Sequence, residues 1–203
     1  MFITALQSSS MCPEIIFILS GKRKSGKDYV ANLMVQKLTA VRCGIMRLSS
    51  PIKFQYAKEN KLLYEKLNDS SEYKEKYRIE MIKFGEEKRN IDPGYFCKLA
   101  TSEEYGTECK KPIWIISDAR RQTDVDYFLQ KYTDRVQTVR ITATEEIRKE
   151  RGYIFTKGVD DAASECGLDA VEHWDFIIDN CGDSNQLNSQ IDKMIAITFE
   201  KLK

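Results

Sequence analysis

The chain has 203 residues, 42% of them hydrophobic, which suits one domain with a sizeable core. Its 32 Lys and Arg are balanced by 31 Asp and Glu, which argues against a general nucleic-acid binder, since such proteins carry a basic excess. A lone histidine, His173, and six cysteines without CxxC spacing argue against a zinc site and against a Ser-His-Asp triad.

No apolar run reaches the roughly 20 residues of a membrane helix. The opening MFITALQSSS has no basic n-region, so a secretory signal is not expected. The cysteines read as reduced, partly buried thiols. An intracellular protein without membrane or nucleic-acid partners follows.

In chain order, the run Ile15-Ile16-Phe17-Ile18-Leu19 predicts a buried strand, and GKRKSGKD follows at 21–28. Tyr29, Val30, Leu33, Met34 and Leu38 then recur at helical spacing. A second strand is predicted at 44–48. Residues 51–111 contain no good strand and several helical patterns, which predicts a helical insertion beside the sheet. Further strands are predicted at 112–117, 137–142 and 174–179. A helix through Val125, Phe128, Leu129 and Tyr132 lies between the first two of these, and Thr142 with Glu145 forms a candidate capping box for a charged helix. A last helix is predicted at 185–202. This alternation predicts a single α/β domain whose parallel sheet is covered on both faces.

The spacing GxxxxGK alone would arise by chance in about one chain in twenty of this length. Its position between a buried strand and a helix, at the first crossover, makes it a phosphate-binding loop. Glycines let backbone N–H groups turn toward an anion, the helix N-terminus adds positive potential, and Lys27 would reach the β- and γ-phosphates. Lys22, Arg23 and Lys24 add more cations than one triphosphate calls for. Asp28 stands where the pattern asks for a magnesium-binding hydroxyl.

Other cationic groups point the same way. On a helix through 71–89, Lys74, Arg78, Gly85 and Arg89 fall within about 60° of one another, with Glu72, Glu80, Lys83, Glu86 and Glu87 on the far side. Asp118, Arg120 and Arg121 follow a strand, where open α/β sheets bind ligands. Arg148 and Arg151 are three apart on the helix after the fourth strand. No general base stands out. An acceptor that is itself a phosphate needs none, because its second pKa is about 6. The task is then to overcome repulsion between two anions, with Asp28 and Asp118 as candidates for magnesium.

The strings GKRKSGKD, RLSSP, EEKRNIDPGYFC, PIWIISDARR, QTVRI and RGYIFTKGVDDAASECGLD closely resemble the animal-type phosphomevalonate kinases, from about residue 14 to the C-terminus. The aspartate at the end of the loop is a trait of that family. The resemblance implies a P-loop three-layer sandwich with a five-stranded parallel sheet, a helical substrate-binding insertion at about 51–111 and a mobile lid at about 146–168. It implies transfer of the ATP γ-phosphoryl group to (R)-5-phosphomevalonate, giving 5-diphosphomevalonate and ADP, with Mg²⁺ as cofactor.

Carried over position by position, the resemblance implies ATP binding by Lys22, Arg23, Lys24, Ser25, Gly26, Lys27 and Asp28. Lys27 stabilises the transferring group, and Arg23 and Arg120 join it as catalytic cations. Arg89, Arg120 and Arg121 resemble acceptor-phosphate ligands, with Lys74 and Arg78 lining the same region and Asn180 contacting the substrate. Arg148 and Arg151 are similar to lid arginines that close on ATP, Gln190 lies near the nucleotide, and Arg140 belongs to the same basic set. Residue 181 is Cys where some relatives have His, and 101–110 reads as a longer surface loop. The terminal Lys-Leu-Lys is not a Ser-Lys-Leu peroxisomal signal, so the cytosol is expected; separately, a monomer is expected. The alternatives are another small-molecule P-loop kinase, such as one for nucleoside monophosphates, and a non-enzymatic nucleotide-binding module.

Overall fold

The computed structural model describes residues 12–68 and 72–201. The readings of the opening decapeptide, of Ser71 and of the last two residues lie outside them. Strand β1 (Ile15–Ser20) is buried at every position, as a continuous apolar run in the middle of a parallel sheet must be. Four more strands complete the sheet: β2 (Cys43–Met46), β3 (Ile113–Ile116), β4 (Val136–Thr142) and β5 (Phe176–Asp179). They lie in the order β2-β3-β1-β4-β5, and every pairing is parallel. The strands fall on the predicted apolar runs, with ends displaced by one or two residues.

Alternate residues of β1 serve opposite faces. Ile15, Phe17 and Leu19 pack with Val30 and Met34 of helix α1 (Lys27–Leu38) and with Leu187 and Ile191 of a C-terminal helix. Ile16 and Ile18 pack with Cys97, Val125 and Phe128 on the other face. Each buried side chain of this kind contributes roughly 1.5–3 kcal/mol, and the loop after Ser20 hangs from this fully buried strand.

Between β2 and β3 the chain makes α2 (Ser49–Glu59), α3 (Tyr64–Asn68), α4 (Glu72–Ile91) and α5 (Tyr95–Ala100). Tyr56, Leu67, Met81, Phe84 and Phe96 give these helices a core of their own. Helix α6 (Gln122–Tyr132) returns from β3 to β4. Short helices α7 (Glu145–Glu150) and α8 (Ala163–Cys166) precede β5, and α9 (Ser184–Lys201) closes the described chain. The cap of α7 differs from the predicted pair. Thr144, not Thr142, is the N-cap, its hydroxyl accepting from the Ile147 N–H at 3.4 Å, because β4 runs on through Thr142.

The connections that leave the adjacent strands β1 and β3 run in opposite directions, to β2 and to β4, so the C-terminal ends of β1 and β3 border a crevice at the point where strand order reverses. That crevice is the site.

Candidate active site

The loop from Gly21 to Gly26 turns directly off β1 into α1. Gly26, at the N-cap of α1, has φ 94°, and a Cβ there would meet the Asn180 Nδ2 at 2.2 Å. A side chain would be strained twice over, by backbone and by contact. Asn180 uses that closeness: its Nδ2 donates to the Ser25 carbonyl at 2.8 Å, tying the loop to the end of β5. Lys27 opens α1 and is buried. Its Nζ donates to the carbonyls of Gly21 (2.5 Å) and Lys22 (3.2 Å). Burial, and next the charge of Arg120, lower its pKa to about 7. The Ser25 and Ser117 hydroxyls are buried without a partner among the described residues, one in the loop and one beyond β3. Orphan donors beside a loop of this shape suit phosphate oxygens.

A cleft of about 1170 Å³ opens in front of the loop. Nine Lys and Arg side chains line it against three carboxylates, although the whole chain is near neutral. Arg23, Lys24, Lys27, Lys74, Arg78, Arg120 and Arg151 come together there, as do Asp28 and Asp118. Two further cations escaped sequence reasoning. Arg47 donates to Asp28 from Nε and Nη2 at 3.3 and 3.2 Å. Lys53 donates to the Asn68 side-chain oxygen at 3.3 Å, and burial followed by Lys74 lowers its pKa to about 8. The signal for Lys53 was its spacing of four from Ser49, which also lines the cleft, but it carries information only once α2 is known to start at Ser49.

On the loop side, the segment after α7 supplies counter-charges. Arg23 Nη1 meets Asp160 at 2.9 Å, Arg120 pairs with Glu165, and Lys22 pairs with Asp169. Arg140 reaches the same Asp169 at 2.9 Å. Arg148 donates from Nε to the Arg23 carbonyl at 2.7 Å and lies over the Tyr153 ring. Arg151, the C-cap of α7, donates to the carbonyls of Ser25 (3.2 Å) and Asn180 (2.8 Å). These arginines therefore approach the loop through its backbone.

Several expected placements change. Asp118 accepts the Leu48 and Ser49 N–H groups at 2.6 and 3.1 Å, one on each oxygen, so it seats the start of α2 and leaves Asp28 as the open carboxylate. Arg121 pairs with Glu86 and not with the carboxylates that hold Arg120, and Glu80 accepts from Tyr56 Oη at 2.7 Å. Arg89, 7% exposed, faces Asp124 at 3.7 Å and stacks over Phe96. It shares with Arg121 a separate cavity of about 370 Å³. Helix α4 does continue through Gly85, whose missing Cβ leaves Arg89 Nη1 room to lie across it. Asn180 lines a third, smaller cavity with Gly26, Tyr29 and Arg151, which puts it beside the loop. Gln190 is held by the backbone of Asp179 at 2.9 and 3.0 Å. Among the described residues no group of three or more His, Cys, Asp or Glu could hold a metal.

Comparison with known proteins agrees with this geometry. The family model for phosphomevalonate kinase matches residues 19–134. A Drosophila melanogaster protein named phosphomevalonate kinase is 40% identical over 167 residues, covering 81% of this chain and 87% of its own. Among solved structures, a Thermus thermophilus protein aligns at TM-score 0.57 with 14% identity, covering 92% of this chain and 98% of that one. A shikimate kinase from Bacteroides thetaiotaomicron aligns at 0.50 with 13% identity over 90% and 97%. These likenesses establish the α/β P-loop kinase fold. The loop, the cation-lined crevice and the matched sequence together place this chain in the phosphomevalonate kinase family.

Proposed function

We propose that this enzyme transfers the γ-phosphoryl group of ATP to the phosphate of (R)-5-phosphomevalonate, releasing ADP and (R)-5-diphosphomevalonate. The observation that carries the reading is the local excess of nine cations over three carboxylates in one cleft of a near-neutral chain, in a sequence 40% identical to a relative of that name. An acceptor phosphate at pH 7 is already largely ionised, so an oxygen attacks without a base, and charge neutralisation with in-line placement supplies the catalysis. The loop of Lys22 to Asp28 cradles the triphosphate. Lys27 exchanges its two carbonyl partners for phosphate oxygens. Arg23 and Arg120 bring donor and acceptor phosphates together, and Lys53, Lys74 and Arg78 hold the acceptor from α2 and α4. Arg148 and Arg151 fix the loop and close over the nucleotide.

The residues suit magnesium. Asp28 is a carboxylate whose side chain is 70% exposed beside the loop, and Mg²⁺ takes one or two carboxylates together with substrate phosphates. When bound, the ion neutralises charge on the phosphate oxygens. Asp28 would hold it, and Arg47 would keep Asp28 turned toward the cleft. We read the enzyme as a cytosolic monomer without membrane or nucleic-acid partners. The near-neutral charge supports the nucleic-acid part of this reading and the free cysteines suit the cytosol; no described helix is long and apolar enough to cross a membrane.

The test is ADP release with ATP and Mg²⁺, comparing (R)-5-phosphomevalonate with mevalonate and a set of nucleoside monophosphates. Turnover is expected with phosphomevalonate alone. Turnover with a nucleotide instead would discard the substrate assignment and keep the fold.

A further inference from the structure

Residues 160–169 carry four carboxylates with no part in the chemistry above, and one of them joins two elements of the site. Glu165, in α8, has a side chain only 5% exposed. One oxygen pairs with Arg120 Nη1, and the other accepts the Arg23 backbone N–H at 3.2 Å. Asp160 and Asp169 serve the loop differently: they meet the Arg23 and Lys22 side chains, and neither contacts Arg120. Arg120 also donates to the Ser164 carbonyl at 3.2 Å, so α8 grips it at two points.

We propose that Glu165 is a positioning residue for phosphoryl transfer, tying Arg120 to the backbone of Arg23 so that the two arginines meet the phosphates as a preset pair. The need is electrostatic. Arg120 is half-buried and close to like charges: desolvation, and then the guanidinium groups of Arg78, Arg121 and Arg23, hold its pKa below the ordinary range against the opposing pull of Asp118. Without Glu165, Arg120 keeps the attraction of Asp118 but loses its tie to the loop, and repulsion moves it away from Arg23. A two-oxygen bridge from a separate helix opposes that displacement, and it fixes the Arg120 head relative to the loop rather than to β3 alone. Displacement by about 1 Å in such a site costs roughly a hundredfold in rate.

The proposal rests on reading Arg120 as a phosphate-facing cation, and the experiment separates the two. Steady-state kinetics with ATP and phosphomevalonate are measured for Glu165→Ala, Glu165→Gln, Arg120→Met and the double variant Glu165→Ala/Arg120→Met, with a thermal unfolding curve for each. Glu165→Ala should lower kcat by about ten- to a hundredfold with a smaller change in the KM for ATP. Glu165→Gln, which keeps the shape and one acceptor oxygen, should recover part of that loss, and it carries the test if the alanine variant does not fold. The decisive comparison is the cycle: in the Arg120→Met background, removing Glu165 should cost nothing further, because it acts through that arginine. Wild-type turnover in both Glu165 variants, or losses that multiply in the double variant, would overturn the positioning role. Wild-type kinetics for Arg120→Met would remove the underlying reading of Arg120 and the proposal with it, a result distinguishable from failure at Glu165 alone.

Discussion

The two walls of the cleft handle positive charge in different ways. On the loop wall, Lys22, Arg23 and Arg120 are each paired with a carboxylate of residues 160–169, and Arg148 and Arg151 donate to loop carbonyls. On the helical wall, Lys53 has an amide oxygen as its partner, lies near Lys74, and has its pKa lowered to about 8. Arg78 there is held by Glu75 of its own helix, three residues back. Apart from Lys27, whose Nζ rests on two carbonyls, the loop wall is fixed by ion pairs before substrate arrives. The helical wall holds charge under stress, which an arriving anion relieves. Preorganised cations raise kcat because they need no rearrangement in the transition state, whereas relief of repulsion on binding strengthens association. The contrast assigns rate to one wall and acceptor affinity to the other.

The largest effect should come from the loop wall. Lys27→Met should lower kcat by about a hundred- to a thousandfold at saturating substrates, with no loss in the unfolding midpoint. Turnover near wild type would remove Lys27 from the chemistry and with it the division of labour.

Arg89→Met probes the support behind the helical wall. It leaves Asp124 buried and without its cation, although Asp124 still accepts the Arg120 and Arg121 N–H groups at 3.1 Å. A loss of about 3 kcal/mol in denaturant unfolding is expected, as for a broken buried pair. A change below about 1 kcal/mol would show that this pairing is energetically idle and return Arg89 to a purely ligand-binding role.

Lys53→Met should act on the other side of the contrast, raising the KM for phosphomevalonate about tenfold with kcat nearly constant, as expected when one charge-assisted hydrogen bond to the acceptor is removed. A fall in kcat with constant KM would reverse the assignment of the walls.

The smallest effect is a proton count. Free Lys27, with its pKa at about 7, is largely neutral near pH 8, and a bound triphosphate favours its charged form. ATP binding near pH 8 should therefore take up close to one proton, seen as a dependence of the calorimetric enthalpy on buffer ionisation, and Lys27→Met should abolish it. The sign for stability follows from the same shift. Because the folded-state pKa lies below the ordinary 10.5, the unfolded chain binds more protons between about pH 7 and 10.5, and Lys27 makes the free enzyme more stable as pH rises through that window.

The contrast also marks what a linear reading could reach. GKRKSGKD was legible because strand, glycines and lysine lie contiguous, and local geometry places them wherever the sheet goes. The five strands were legible for the same local reason. Arg120 and Arg121 were not separable, since neighbours in sequence read alike; tertiary packing sends one to Glu165 and the other to Glu86. Nothing in the sequence showed that Asp118 accepts the Leu48 and Ser49 N–H groups at the start of α2. Arg47 gave no signal of its own, and Lys53 only a spacing that needs the start of α2 to be read, because their partners lie 19 and 15 residues away.

By itself, then, the sequence determined the alternation of buried strands and amphipathic helices, the phosphate loop and the stock of cations. These depend on periodicity and on residues within a few positions of one another. Tertiary structure alone decided which cations face the cleft, which carboxylates hold them and how far Lys27 and Lys53 are pushed toward neutrality. Those outcomes depend on burial and on charges from distant parts of the chain, and burial and long-range packing are properties of the folded molecule.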